Sequence, residues 1–79
     1  MHETLREMAL RHVTTGRRIV AAQRRRIELL RIDGRDSTAS EVLLARYERS
    51  LAIFEDDLER IEEKRSEAQR RLLTGLGSH

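Results

Sequence analysis

The sequence of 79 residues contains no cysteine, no proline and no tryptophan, and it has only one tyrosine and one phenylalanine. Without cysteine, disulfide bonds and thiolate metal sites are excluded. Without proline, and with only four glycines, few residues can interrupt a long helix. The scarcity of aromatic side chains also removes the base-stacking platforms on which many proteins bind single-stranded nucleic acid.

Long apolar segments are absent as well. No uncharged apolar run approaches the about 20 residues that span a bilayer. Residues 1–7 lack the apolar stretch of a secretory signal peptide. We therefore expect a soluble protein of the cytoplasm. A chain of this length forms one domain or less, because domains commonly contain about 100–150 residues.

Charged residues make up 38% of the chain, and apolar residues make up another 38%. The 16 basic and 14 acidic side chains nearly balance, at a net charge of +2. The sequence has no glycine-rich phosphate loop, nucleophile elbow, zinc motif or converging pair of catalytic carboxylates. The acidic run within 55–63 falls on a predicted helix, which spreads its carboxylates around a cylinder. We expect no enzymatic activity, no cofactor and no metal site.

One segment, 33–37, breaks the helical pattern. Its Gly34 can adopt the left-handed conformation that ends a helix. Thr38 followed by Glu41 has the spacing of a capping box at the start of a second helix. A joint this short between helices of similar length favours an antiparallel hairpin. We predict a first helix over about 3–32, a turn over 33–37, a second helix over about 38–73 and a frayed tail over 74–79.

Hydrophobic periodicity supports this hairpin. In the second helix, apolar residues recur at alternating steps of three and four, interrupted once by Arg65, at Leu44, Tyr47, Leu51, Phe54, Leu58, Ile61, Ala68 and Leu72. The first helix shows the same steps at Val13, Gly16, Val20, Gln23, Ile27 and Leu30. A period of 3.5 residues is typical of coiled coils. The predicted fold class is therefore all-α, an antiparallel two-helix coiled-coil hairpin.

Apolar layers and charges both indicate a register for the hairpin. Folding about Gly34 predicts the layers Leu30–Leu44, Ile27–Tyr47, Gln23–Leu51, Val20–Phe54, Gly16–Leu58 and Val13–Ile61. The same hairpin brings the heptad e positions of the two helices together. It predicts the ion pairs Arg17–Glu55, Arg24–Glu48 and Arg31–Glu41. Exposed pairs contribute only about 0.3–0.5 kcal/mol each, but they penalise shifted registers. Gln23 is either a buried seam residue that fixes the register or a side chain that extends to water.

One flank of the predicted seam is unusually apolar. At its c and g heptad positions we predict a self-association face made of Leu5, Met8, Ile19, Ala22, Leu29, Leu43 and Ile53. So many exposed apolar side chains indicate a covered surface. We expect two hairpins to join through this face into a four-helix bundle, as a two-fold homodimer. A helix of a different protein is the alternative cover, and His12 falls on the same flank.

Arginine predominates among the cations and supports an alternative function. Fifteen of the 16 basic residues are Arg. Arg11, Arg18 and Arg25 recur every seven residues on the outermost row of the first helix, where we expect them to lack acidic partners, and Arg26 lies beside them. Arginine binds phosphate groups in a bidentate manner. The alternative function is therefore a small nucleic-acid-binding regulator that uses this face.

Parts of the sequence resemble a group of short bacterial proteins of unknown function. The resemblance lies in Gly16 to Arg24, Ile27 to Leu30 and Gly34 to Ser37, and it continues in parts of 41–58. It covers about residues 10–62 and implies a bacterial cytosolic helical hairpin, with no activity or functional residue to transfer. The function we expect is a small interaction module that self-associates through helix packing and offers a charged surface to a protein partner.

Overall fold

The computed structural model describes residues 2–77 of the chain. These residues form two helices, α1 over Leu5–Ile32 and α2 over Thr38–Gly77, and no strand occurs among them. The helices pack side by side and antiparallel in a rod of 70 × 27 × 15 Å. The predicted all-α hairpin is confirmed. Within the same range, neither helix contains a stretch that is long and apolar enough to cross a membrane.

Gly34 ends α1 in the way that the sequence predicts. Its φ of 67° is left-handed, a conformation that glycine adopts without the steric cost of a Cβ atom. The Gly34 N–H donates to the Arg31 carbonyl at 3.0 Å, and the Arg35 N–H donates to the Leu30 carbonyl at 2.8 Å. Together these bonds form a Schellman motif, which satisfies the last carbonyls of the helix. The chain therefore reverses direction at this glycine.

Helix α1 begins at Leu5 and not near residue 3, because Thr4 caps it. The Glu7 N–H donates to Thr4 Oγ1 at 3.1 Å, and the Thr4 hydroxyl donates to Glu7 Oε1 at 3.0 Å. A threonine followed three residues later by a glutamate has the spacing of a capping box. The sequence therefore contained the pattern that places this helix end.

The start of α2 differs from the prediction in its capping residue. The first hydrogen bond of α2 runs from the Glu41 N–H to the Ser37 carbonyl at 2.9 Å, so Ser37 and not Thr38 is the N-cap. The Asp36 carboxylate accepts hydrogen bonds from the Thr38 hydroxyl at 2.6 Å and the Thr38 N–H at 3.0 Å. These two hydrogen bonds lower the pKa of Asp36. The predicted capping box at Thr38 is therefore wrong: Thr38 is the first residue of the helix, and its side chain bonds to Asp36.

Helix α2 continues to Gly77, through residues 74–77 where the sequence predicts a frayed tail. Residues 78 and 79 of that tail lie outside the described residues. No proline stops the helix, and a glycine such as Gly75 costs only about 1 kcal/mol in a helix. With 40 residues against 28 in α1, α2 extends beyond the end of its partner helix. Every residue over 63–75 is exposed as a result.

The core is a narrow line of small and medium side chains along α1. Its buried residues are Ala9, Val13, Gly16, Val20, Gln23 and Ile27. The facing residues of α2 are larger and only half-buried, at Leu44, Tyr47, Leu51, Phe54, Leu58 and Ile61. The seam side chains of α1 are small enough for one helix to bury them. The larger facing side chains of α2 remain partly exposed. The hairpin therefore keeps apolar surface uncovered.

The faces that meet in the seam are those predicted, but the predicted layers are wrong in axial register. A Cβ atom on Gly16 would lie 3.1 Å from Leu51 Cδ1 and 3.8 Å from Phe54 Cδ2, so the residues nearest to Gly16 are Leu51 and Phe54 and not the predicted Leu58. Gln23 likewise reaches Ser40 and not Leu51. The observed partners lie about one helical turn or more closer to the start of α2. A heptad pattern repeats along the helix, so such a shift keeps apolar residues in the seam.

Candidate association surface

One side of the hairpin carries the predicted ion pairs, which we call the ladder: Arg17–Glu55, Arg24–Glu48 and Arg31–Glu41. The nitrogen–oxygen distance is 3.4 Å in the first pair and 3.3 Å in the second, and the third pair is also in contact. All six residues are exposed, so each pair contributes little free energy. The ladder confirms the predicted charge pairing. The ladder partners lie at different axial heights, because long side chains on antiparallel helices lean in opposite axial directions and bridge the offset.

An ion pair that the sequence analysis missed lies at the open end of the hairpin, which is the end away from Gly34. The Arg6 guanidinium contacts the Glu62 carboxylate across the two helices, and both residues are half-buried. Arg6 occupies the position where the apolar seam of α1 would continue beyond Ala9. The seam therefore ends in a charged contact, which the three-and-four spacing could have located if it had been extended toward the N-terminus.

The predicted self-association face, which we call the c/g face, lies on the side opposite the ladder. The exposed fractions of its large side chains are 68% for Leu5, 37% for Met8, 41% for Ile19, 52% for Leu29 and 59% for Ile53. Ala22 is also exposed, and Leu43 is half-buried. Packing between α1 and α2 therefore leaves these side chains largely uncovered. A row of this kind is the type of surface that other helices cover.

A groove at the open end continues the c/g face. The rings of His12 and Phe54 meet there, with centroids 5.0 Å apart and planes inclined by 39°. Arg60 lies at its rim and pairs with Asp57 at 3.0 Å. The remaining walls are formed by Leu5, Met8, Ala9, Ile61 and Lys64. The groove shows that residues of both helices contribute to one continuous side of the hairpin.

Gln23 is the buried polar residue of the seam. It is 6% exposed, and its Nε2 donates to the Ser40 carbonyl at 2.8 Å. Of the two interpretations of this residue, extension to water is wrong. A buried amide needs a partner, and Ser40 supplies one in the first turn of α2. This bond ties one level of α1 to one level of α2, so it favours a single axial register.

The outermost arginines of α1 differ in their surroundings. Arg11 donates two hydrogen bonds to the Glu3 carboxylate, at 2.9 and 3.0 Å, so the prediction of a free cation at this position is wrong. The hydrogen bonding raises the pKa of Arg11 and lowers that of Glu3. Arg18, Arg25 and Arg26 have no side-chain hydrogen bond or ion pair with any residue over 2–77.

Two exposed apolar residues on the outermost rows of the helices, at f positions, lie outside the c/g face. Ile32 is 72% exposed and Val42 is 54% exposed. They directly follow Arg31 and Glu41, which form the ladder pair nearest the turn. Both stand at f positions of the heptads, and the sequence analysis did not select them because they belong to neither the seam nor its c/g flank.

Over residues 2–77, no group of three His, Asp or Glu side chains lies close enough together to hold a cation.

Comparison with known proteins gives no relative of this chain: no family model, curated protein or solved structure matches it.

Proposed function

We propose that this chain is a small helical interaction module, which joins a second copy of itself through the c/g face and presents its charged surface to a protein partner. The observation that carries the proposal is the row of large, exposed apolar side chains on one side of the rod. Among the residues that the structure describes, the opposite side carries the ladder and has no comparable row of exposed apolar side chains. The two sides therefore differ in the way expected of a covered side and a solvated side.

The expected driving force is the burial of apolar surface. Complete burial of a Leu or Ile side chain contributes about 1.5–3 kcal/mol. Ile19, Leu29 and Ile53 retain about half of their surface, so about half of that contribution remains available from each. A two-fold dimer uses every such residue twice. The c/g face can therefore supply several kcal/mol toward association.

Ile19→Glu should convert the dimer into a helical monomer, because it places a carboxylate in the middle of the c/g face. Sedimentation would measure the mass, and circular dichroism would show that the helices remain. Leu10→Glu is the matched control, since Leu10 is 36% exposed but lies in the row of the ladder arginines. We expect this control to remain dimeric. A wild-type protein that is fully helical and monomeric at micromolar concentration would contradict the proposal.

Nucleic-acid binding is the second candidate function, and the free arginines favour it. Arg18, Arg25 and Arg26 lack acidic partners in the described part of the chain. Arg25 and Arg26 also line a shallow depression together with Arg35, near the turn. Phosphate contacts by such arginines would make affinity fall steeply as salt concentration rises.

Replacing Arg18, Arg25 and Arg26 together with Gln should weaken RNA or DNA binding and flatten its dependence on salt. The control replaces Arg49, Arg65 and Arg70 of α2 with Gln, because this triple change removes the same charge from other exposed positions. Filter retention at several salt concentrations measures both effects. The candidate function fails if the wild-type protein retains no RNA or DNA at low salt.

A further inference from the structure

Helix α2 continues past the end of α1, and we call this uncovered part, residues 63–75, the overhang. Every one of its residues is exposed. We infer that the overhang is a docking site for an acidic amphipathic helix of a partner protein, which lies in line with α1. This inference rests on the second part of the proposed function, the binding of a protein partner, and specifies the chemistry of that partner.

The seam of α2 does not end where α1 ends. Arg65, Ala68 and Leu72 continue its three-and-four spacing from Ile61 along the overhang. Leu72 is 70% exposed, because no residue of α1 reaches its level in the described part of the chain. A helix in line with α1 would cover this row in the same way that α1 covers the seam before it. The overhang therefore extends an interface that the molecule already uses.

The charge that flanks the seam of α2 changes sign where the overhang begins. Before the overhang, every heptad e position of α2 is a glutamate that pairs with an arginine of α1, in the pairs Arg31–Glu41, Arg24–Glu48, Arg17–Glu55 and Arg6–Glu62. On the overhang, the charged residues within about 90° of the seam are all cations, at Lys64, Arg65 and Arg71. A helix that pairs with the overhang must therefore be acidic, whereas α1 is basic.

The three cations of the overhang are available to a partner. Lys64 and Arg65 form no ion pair with any residue that the structure describes. Arg71 pairs with Glu67 at 2.9 Å, but both side chains are exposed and lie four residues apart on one helix, so this pair contributes little free energy. Carboxylates of a partner helix would therefore meet cations that are free or weakly held.

Arg65 stands in the seam itself, and the open end of the hairpin shows how such a residue is accommodated. Arg6 also occupies a seam position, and its guanidinium contacts the carboxylate of Glu62, which flanks the seam on the facing helix. A glutamate that flanks the seam of the partner helix would receive Arg65 in the same manner. Ala68 and Leu72 would then pack against apolar residues of that helix.

A second copy of this chain does not supply the required helix. The seam of α1 is flanked by Arg17, Arg24 and Arg31, and the overhang carries cations, so either would oppose like charges. The glutamates at the e positions of α2 already pair with α1. No residue of the c/g face belongs to the overhang, so the proposed self-association does not use it. The partner helix therefore belongs to a different protein.

The apolar row distinguishes a protein helix from other anionic partners. On the seam side of the overhang, Ala68 and Leu72 lie among the cations Lys64, Arg65 and Arg71. A nucleic-acid backbone contacts cations and makes no use of Leu72. A helix that binds a lipid surface needs a broad apolar face, whereas this row has the width of a coiled-coil seam. An acidic amphipathic helix uses both the row and the cations.

The experiment titrates the full chain into a fluorescent peptide and measures anisotropy. The probe peptide has about three heptads with Leu at a and d and Glu at e and g, and a second peptide has Lys in place of Glu. We expect the lysine peptide to bind at least about tenfold more weakly than the glutamate peptide. Leu72→Glu should weaken the glutamate peptide about tenfold, because it places a carboxylate in the apolar row. Equal binding of the two peptides would overturn the inference.

Reversal of the cations locates the binding on the overhang. Replacing Lys64, Arg65 and Arg71 together with Glu should weaken the glutamate peptide more than about tenfold and make the lysine peptide the tighter ligand. The control variant carries the same change of net charge at three exposed arginines outside the overhang, which are Arg18, Arg25 and Arg49. Equal losses in the two triple variants would show nonspecific attraction and overturn the inference.

Two further measurements distinguish this inference from the proposed self-association and from other anionic ligands. The Ile19→Glu protein should bind the glutamate peptide with unchanged affinity. A wild-type protein that dimerises but binds no peptide would overturn the inference and leave the self-association standing, and a monomeric wild type that binds the peptide would do the reverse. Single-stranded RNA or phosphatidylserine vesicles that bind more tightly than the peptide, and that still bind the Leu72→Glu protein, would also overturn the inference.

Discussion

Ile27→Ala should lower the free energy of unfolding by about 2–4 kcal/mol, the range typical of removing a buried isoleucine side chain. Ile27 is 4% exposed and lies in the core line of α1, between the levels of Gln23 and the turn. The core contains few buried side chains, so the remaining residues have little capacity to fill the cavity. Urea denaturation followed by circular dichroism, at fixed protein concentration, measures the change.

The matched control for this prediction is Ile32→Ala. Ile32 belongs to the same helix and has the same side chain, but it is 72% exposed. In a protein kept monomeric by Ile19→Glu, this control should change the free energy of unfolding by less than about 0.5 kcal/mol. Equal losses from the two alanine variants would contradict the placement of Ile27 in the core.

Gly16→Leu should destabilise the hairpin by about 1–3 kcal/mol, because it inserts a side chain at a place where the helices approach closely. Even a single Cβ atom would come within 3.1 Å of Leu51 Cδ1. A full leucine would push the helices apart and reduce contacts of Val13 and Val20 on either side. Thermal unfolding monitored by circular dichroism gives the effect as a lower Tm.

Two further variants distinguish the effect of steric crowding between the helices from the effect of helix propensity on stability. Gly16→Ala gains about 1 kcal/mol of helix propensity, and its one tight contact is with the flexible end of the Leu51 side chain, so its net effect should be small. Thr14→Leu introduces the same leucine at an exposed position of α1, and we expect it to leave stability nearly unchanged. A Gly16→Leu protein as stable as the wild type would show that the two helices do not meet closely at this level.

The charged side chains of the ladder are paired within the molecule, whereas most of those of the outer rows, which are the f positions, are not. Along the ladder, positive side chains of α1 meet negative side chains of α2 within one molecule. The outer rows contain charges that find no partner within the described residues, at Arg18, Arg25, Arg49, Asp56 and Glu63. Charges that are already paired contribute little to recognition of another molecule. The unpaired charges of the outer rows are therefore available to another molecule.

Several features of the candidate site followed from the sequence because they depend on local chemistry. The position of Gly34 gives the turn, since only glycine adopts φ near 67° without steric cost. The three-and-four spacing gives the c/g flank, and Leu5, Ile19 and Ile53 are indeed exposed on it. The exposed residues Ile32 and Val42 were missed, because they lie at f positions and the three-and-four spacing identifies only the seam and its flanks.

The partner of Arg11 could not be found from its heptad position. Glu3 lies before α1 begins, and its carboxylate reaches Arg11 because Thr4 caps the helix at that point. The same kind of competition moved the N-cap of α2 to Ser37, since Asp36 holds Thr38. At a helix end, several polar side chains are within reach of the same donors. Which hydrogen bond or ion pair forms is decided by the positions of these side chains in space and not by their spacing along the sequence.

The amino-acid sequence alone determined two helices, the place where the chain reverses and the separation of an apolar flank from a charged ladder. These properties depend on backbone preference and on a repeat of 3.5 residues, both of which act over a few neighbouring positions. Only the tertiary structure decided the axial register. A repeating seam is compatible with shifted pairings, and the close fit of Leu51 against Gly16 and the hydrogen bond from Gln23 to Ser40 distinguish one of them.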